Sequence, residues 1–209
     1  VDQNDLSKSI STRASKCRSL VIQVFCWFSH SPTFEDKYYL DRDELRRDVL
    51  RVRLYYWKRG YREAAVEPVV DPQGPRQVNV TFKVDEGRPT LVRKIAIVYD
   101  STLISDKIRD RLTMLHARAP LDLVVLDSMR VLFQNVLWDQ GFGDAVVDTS
   151  VVVNEASHLA DVALTLTPNR RTTIGRITVA GTHLVDESTV RNSITFQPGR
   201  TASHASNGA

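Results

Sequence analysis

The chain has 209 residues, enough for one to three domains at roughly 100–200 residues each. Hydrophobic residues make up 42% and charged residues 25%, with only 9 Gly and 8 Pro, which excludes a disordered, collagen-like or linker sequence. A net charge of +3 demands neither nucleic acid nor an anionic membrane, and the best apolar run, Leu20 to Phe28, falls well short of the roughly 18 residues that span a bilayer.

The amino terminus, Val-Asp-Gln-Asn-Asp, lacks an initiator Met and the basic and apolar regions of a secretory signal, so a processed or excerpted chain is expected. Leu6 to Thr12 is the best candidate for a first strand. Cys17 and Cys26 stand nine positions apart, which is not a metal-ligand spacing. They are either a disulfide formed in an oxidising compartment or two half-buried thiols. Ser19 to Phe28 reads as a first helix, and Ser29 to Lys37 as a polar insertion holding Pro32.

Leu45, Val49, Val52 and Tyr56 then form an apolar stripe at helical spacing. That helix ends at Gly60, where a left-handed backbone costs glycine least. Tyr61 follows and is expected to fold back over the last turn, where Trp57 sits. Ala64 to Val70 and Val78 to Val84 read as strands joined by the turn Asp71-Pro72-Gln73-Gly74-Pro75. Val78, Val80, Phe82 and Val84 alternate with polar residues, so one face of that strand is buried. Pro68 marks its partner as an edge strand.

Leu91 to Val98 is the next strand. Ser105 is a candidate N-cap for a helix carrying Ile104, Ile108, Leu112 and Leu115, and Ala119-Pro120 should stop it and open another. Leu126, Met129, Phe133, Val136 and Leu137 form the second stripe, which ends at Gly141-Phe142. Ala145 to Val152 is a strand, and Val162, Leu164 and Leu166 alternate in the one after it. Ile174 to Val179 and a helix near Asp186 to Ile194 start a further unit. Thr201 to Ala209 is patternless.

Much of this is a repeat. Leu40-Asp41 recurs as Leu121-Asp122, 81 positions on. With that offset Leu45 meets Leu126, Trp57 meets Trp138, Gly60-Tyr61 meets Gly141-Phe142, and Val66 meets Val147. One inserted residue later, Val80, Phe82 and Val84 meet Val162, Leu164 and Leu166. A period near 80 suits small domains with their own cores. The fold class is therefore α+β: tandem β-α-α-β-β domains, each a three-stranded mixed sheet covered by two helices. The boundaries are 1–88 (irregular at its start), 89–170, and 171–209 as an incomplete third domain.

Three sequence features together resemble POTRA domains, the polypeptide-transport-associated repeats of bacterial outer-membrane barrel assembly factors of the BamA and TamA type. They are Tyr56-Trp-Lys-Arg-Gly60-Tyr61, Val84-Asp-Glu86-Gly87 and Ile177-Thr-Val179-Ala-Gly181. The resemblance covers about residues 38 to 199, although Thr167-Pro168-Asn169 stands where the second copy would repeat Asp85-Glu86-Gly87. It implies a periplasmic array ahead of a C-terminal outer-membrane barrel. Its partners would be unfolded outer-membrane protein clients and accessory periplasmic proteins or lipoproteins. It brings no catalytic residues and no cofactor.

The mechanism that suits such a role is strand addition, in which an extended client completes an open edge. The candidate positions are Ala145, Val147, Asp148, Ser150, Val151 and Val152 in the second copy and Ala64 and Val66 in the first. Gly60, Tyr61, Gly141 and Phe142 are read as helix caps. The basic run Arg46, Arg47, Arg51, Arg53, Lys58, Arg59 and Arg62 would suit an acidic partner or anionic lipid, but interleaved Asp and Glu favour an ordinary solvated face. RNA binding would need a Gly-x-x-Gly clamp or paired strand aromatics, and neither is present in the sequence. Five scattered His suggest no metal site, and no nucleophile–base pair suggests an enzyme. The closest alternative is a scaffold of similar repeats in a secretion pore or cell-division complex.

Overall fold

The computed structural model describes residues 3–13, 15–17, 35–36, 38–74, 77–181, 186–194, 198–199 and 201. The chain divides into two compact units, Val1–Pro89 and Thr90–Ala209. The first contains α1 (Gln3–Ser9), a short antiparallel pair β1 (Lys16–Cys17) and β2 (Glu35–Asp36), then α2 (Arg42–Lys58), β3 (Ala65–Pro72) and β4 (Val78–Asp85). The expected helix at Ser19 to Phe28, most of the Ser29 to Lys37 insertion, and Cys26 lie outside the described residues.

Asp41 starts α2. Its carboxylate accepts the N–H groups of Asp43 at 2.8 Å and Glu44 at 3.4 Å, satisfying donors that the first helical turn cannot. Acidic residues in the first turn and Lys58 in the last suit the helix dipole. The helix buries Leu45, Val52, Tyr55 and Tyr56. Val52, Tyr55 and Tyr56 form a cluster with Ala64, against which Leu6, Ile10, Val66, Phe82 and Val84 pack.

The expected first strand at Leu6 to Thr12 is corrected: most of it is the end of α1. A strand would have set Lys8 between Leu6 and Ile10 on the core face. A helical turn instead brings Leu6 and Ile10 together against the cluster and leaves Lys8 exposed. The chain beyond is held by Asp48, whose two carboxylate oxygens accept the N–H groups of Ser11 at 2.9 Å and Thr12 at 2.7 Å. Asp48 is fully buried and also bonds Arg51. Among the described residues the sheet of this unit has two strands, β3 and β4, in antiparallel register.

The second unit runs β5 (Leu91–Val98), α3 (Asp106–Leu112), α4 (Leu123–Asp139), β6 (Val146–Asn154), β7 (Leu159–Thr167) and α5 (Glu187–Asn192). The order β5-β7-β6 puts β7 in the centre, parallel to β5 and antiparallel to β6. Met129, Phe133 and Leu137 of α4 are buried against Val147, Val162 and Leu164 of the sheet, with Ile104, Leu115 and Leu121 closing the core. Helix α4 repeats α2 at both ends, each 17 residues long. Asp122 repeats the cap of Asp41, bonding the N–H groups of Val124 at 2.8 Å and Val125 at 3.1 Å.

Two expectations fail here. Pro120 does not open α4, because backbone 118–121 is used elsewhere: it bonds Thr90 and Val92, and Pro120 bridges Leu91. Residues 174–179 form no strand. Thr173 bridges Thr201, and Gly199 donates to the Ile174 carbonyl at 2.8 Å. Among the described residues no strand lies beside 174–179, and strand geometry persists where a neighbour completes the ladder.

Replacing Asp48 by Ala strands two backbone donors and leaves Arg51 with Glu44 as its remaining carboxylate, so urea unfolding should show a loss of about 3 kcal/mol. Burial pushes the Asp48 carboxyl up, but the N–H groups of Ser11 and Thr12 with the Thr12 hydroxyl and Arg51 outweigh it and hold the carboxyl below the ordinary range. A depressed folded value means stability that is present above the unfolded value and lost as pH falls. The wild type should therefore lose more stability than the Asp48→Asn chain as pH falls below about 4.

Candidate strand-addition edges

The glycine caps come first, because each edge strand starts from one. Gly60 has φ 92°. Its N–H bonds the Trp57 carbonyl at 3.2 Å and that of Tyr61 bonds the Tyr56 carbonyl at 3.0 Å. This is the paired closure of a Schellman turn. Tyr61 folds back over the last helical turn, where it meets Tyr56 edge to face at 6.0 Å. The turn geometry places the residue after the glycine over the third residue from the helix end. Trp57 stays 38% exposed, with the Arg62 guanidinium 4.8 Å from its ring centre.

The second unit repeats the closure. Gly141 has φ 92°, and bonds run from Gly141 to Trp138 at 2.8 Å and from Phe142 to Leu137 at 3.0 Å. Phe142 is half-buried against the core. Ala64 and Ala145 come next, both buried. Their N–H groups bond back to Tyr61 at 3.3 Å and Phe142 at 3.0 Å, so these two candidates belong to the turns and not to the edges.

Hydrogen-bond parity decides what each edge offers. Gln73 donates to the Gln77 carbonyl, continuing the register Pro72 to Val78. Alternate residues Asp71, Val69, Glu67 and Ala65 therefore face β4, and Val66, Pro68, Val70 and Pro72 turn their backbone groups outward. Two of these are prolines with no N–H. The outer edge of β3 is blunted, and Val66 stands on a poor template.

Strand β6 has the same register one repeat later, with Asp148 opposite Thr165 as Glu67 is opposite Lys83. The donation from Leu91 to the His158 carbonyl at 2.8 Å agrees, since it turns the even positions of β7 toward β5. The outward groups of β6 thus belong to Val147, Thr149, Val151 and Val153, and all four keep their N–H. Val147 buries its side chain, while Val151 and Val153 pack on the core. Asp148, Ser150 and Val152 spend their backbone groups on β7 and expose their side chains on the wet face. Among the described residues no strand pairs with the outer side of β6.

Sequence reasoning missed Thr149, Val153 and Pro72. The signal was available: the offset of 81 sets Pro68 on Thr149 and Pro72 on Val153. It also missed the cross-strand clamp between Arg93 and Asp161, where Arg93 Nε reaches Asp161 Oδ1 at 2.8 Å and holds that carboxyl below its usual range. The side chain of Cys17, like Cys26, is outside the described residues. Among the described residues no group of three His, Cys, Asp or Glu could hold a metal, and no helix is long and apolar enough to cross a membrane.

Residues 3–87 match the POTRA family model, described as a surface antigen variable number repeat. Over 99% of its length the chain is similar to POTRA3-5 of BamA from Haemophilus influenzae, with a TM-score of 0.58, 19% identity and 76% of that chain covered. The chain carries the POTRA fold. The POTRA order β-α-α-β-β is β5-α3-α4-β6-β7 in the second unit, as the repeat analysis expected. The chain is also similar to BamA from Haemophilus ducreyi lacking POTRA domains 1-3 (TM-score 0.40, 21% identity, covering 68% of this chain and 26% of that one). A third similar structure is the N-terminal domain of Omp85 from Thermosynechococcus elongatus (TM-score 0.37, 14% identity, covering 94% and 83%).

Alanine at either POTRA cap glycine forces a side chain into a left-handed backbone, at a cost of about 1–2 kcal/mol. At Gly141 the new Cβ would also lie 2.7 Å from Thr201 Cγ2. Gly141→Ala should therefore lower the melting temperature more than a substitution at an exposed helical position such as Ser128→Ala.

Proposed function

We propose that this chain is part of the periplasmic scaffold of an outer-membrane protein assembly machine, and that its second unit holds extended client segments by strand addition on β6. The observation that carries this reading is the contrast between two edges of one register. Among the described residues no strand meets the four outward N–H groups of β6, and two of the equivalent four are removed by proline on β3. Main-chain pairing selects extended backbone over particular side chains, which fits a receptor for many unfolded outer-membrane proteins. Asp148 and Ser150 on the wet face keep the empty strand from pairing with copies of itself.

The placement on the periplasmic side, ahead of an outer-membrane barrel and beside accessory proteins or lipoproteins, is supported by the POTRA family match and by the BamA-like fold. Within it, residues 171–209 read as the start of a third repeat. The role requires no catalysis and no cofactor: it is binding and orientation.

Thr149→Pro tests the mechanism, because it installs the proline that the first unit already carries at that register. An extended peptide of alternating apolar and polar residues should protect the amides of Val147, Thr149, Val151 and Val153 from hydrogen exchange in the wild type. Thr149→Pro should weaken that peptide's binding about tenfold or more, the effect of roughly one lost main-chain bond and a distorted ladder, with the circular dichroism unchanged. Protection appearing on β5 or β4 instead, or equal affinity in the proline chain, would overturn the assignment of β6.

A further inference from the structure

The outward face of α2 joins three exposed apolar side chains to a set of cations. Leu50 is 61% exposed, Leu54 50% and Trp57 38%. They fall at i, i+4 and i+7, one stripe along the helix. Arg53 and Lys58 are exposed on the two flanks of that stripe, and Arg46 beside it is exposed but ion-paired with Asp43 at 3.1 Å.

The second copy keeps Val131 and Trp138 where this face has Leu50 and Trp57, but the fold does not require its cations or Leu54. The second copy of the same helix, α4, carries Asp127, Gln134 and Asp139 where α2 has Arg46, Arg53 and Lys58, and Asn135 where α2 has Leu54. The charge of the chain divides the same way. Residues 1–89 hold 16 basic and 13 acidic residues, and residues 90–209 hold 12 of each. The whole net charge therefore sits in the unit that bears the apolar stripe.

We propose that this face of α2 docks on an anionic lipid surface. Leucine side chains and an indole at one level, with guanidinium and ammonium heads on long apolar stems beside them, match the boundary between acyl chains and phosphates. Each cation near such a surface adds attraction that salt screens. The face is the convex side of a single helix, suited to a flat lipid surface, whereas a partner helix would need a groove. The proposal is independent of strand addition, because it rests on the first unit and on no group of β6.

The test is sedimentation of the full chain with vesicles of phosphatidylcholine alone and with roughly 30 mol% phosphatidylglycerol. Binding to the anionic vesicles should be about tenfold tighter or more, and should weaken strongly between about 0.05 and 0.5 M NaCl. The variant Arg53→Gln/Leu54→Asn/Lys58→Asp copies the residues of α4, so its helix should form and its melting temperature should stay close to wild type. It should lose about tenfold in affinity for the anionic vesicles, and Leu50→Ser/Leu54→Ser should lose binding that salt alone does not remove. Equal partition to both vesicles, or an unchanged affinity in both variants, overturns the proposal. So does binding of an acidic amphipathic helical peptide at this face without any vesicle binding, which would make it a protein-docking surface.

Discussion

Both copies of this domain depend on where one helix is allowed to stop. A carboxylate at Asp41 or Asp122 opens a helix of 17 residues, and a left-handed glycine at Gly60 or Gly141 closes it. The closure makes three linked backbone bonds, ending with the donation from Ala64 or Ala145 to the residue after the glycine. The chain leaves this turn already committed to a strand. Its pairing with β4 or β7 then sets which of its backbone groups face outward. The edge and the cap are one piece of machinery.

On that shared frame the copies have diverged in ways that balance physically. The core position filled by Met129 in the second unit is Asp48 in the first, and both are fully buried. A bare carboxylate there would be costly. It is tolerated because Ser11, Thr12 and Arg51 satisfy it, and in doing so it pins the segment that follows α1. The irregular start of the first unit is thus anchored by a polar core residue where its copy uses dispersion and burial.

The same divergence separates the two surfaces proposed to bind. Proline at 68 and 72 removes two of the four outward donors of β3, while its copy keeps every donor. The helix face that is basic on α2 is acidic or neutral at the matching charged positions of α4. A duplicated fold has been given a blunted edge with a cationic face in one copy and an open edge with a balanced face in the other.

How much of this was legible in the sequence depends on whether the signal was local. The glycine ends of the long helices were readable because Gly60 and Gly141 act within one turn, and the repeat showed them twice; Asp41 and Asp122 stood out in the sequence only as matching repeat positions, and the structure made them caps. The alternation of Val80, Phe82 and Val84 was equally local. Leu6 to Thr12 misled because seven residues with two apolar positions fit a strand or a helix, and only the cluster around Val52 chose between them. Pro120 misled because its backbone neighbours were claimed by Thr90 and the start of β5, far earlier in the chain. Residues 174–179 have the composition of a strand, but a strand is completed by a neighbour and composition supplies none. The sequence by itself determined the repeat unit, the glycine ends of its long helices and its fold class, since these rest on short-range caps and periodicity. Only the tertiary structure decided which edge is open, what Asp48 holds and which face of α2 is exposed, because those depend on pairing between residues far apart along the chain.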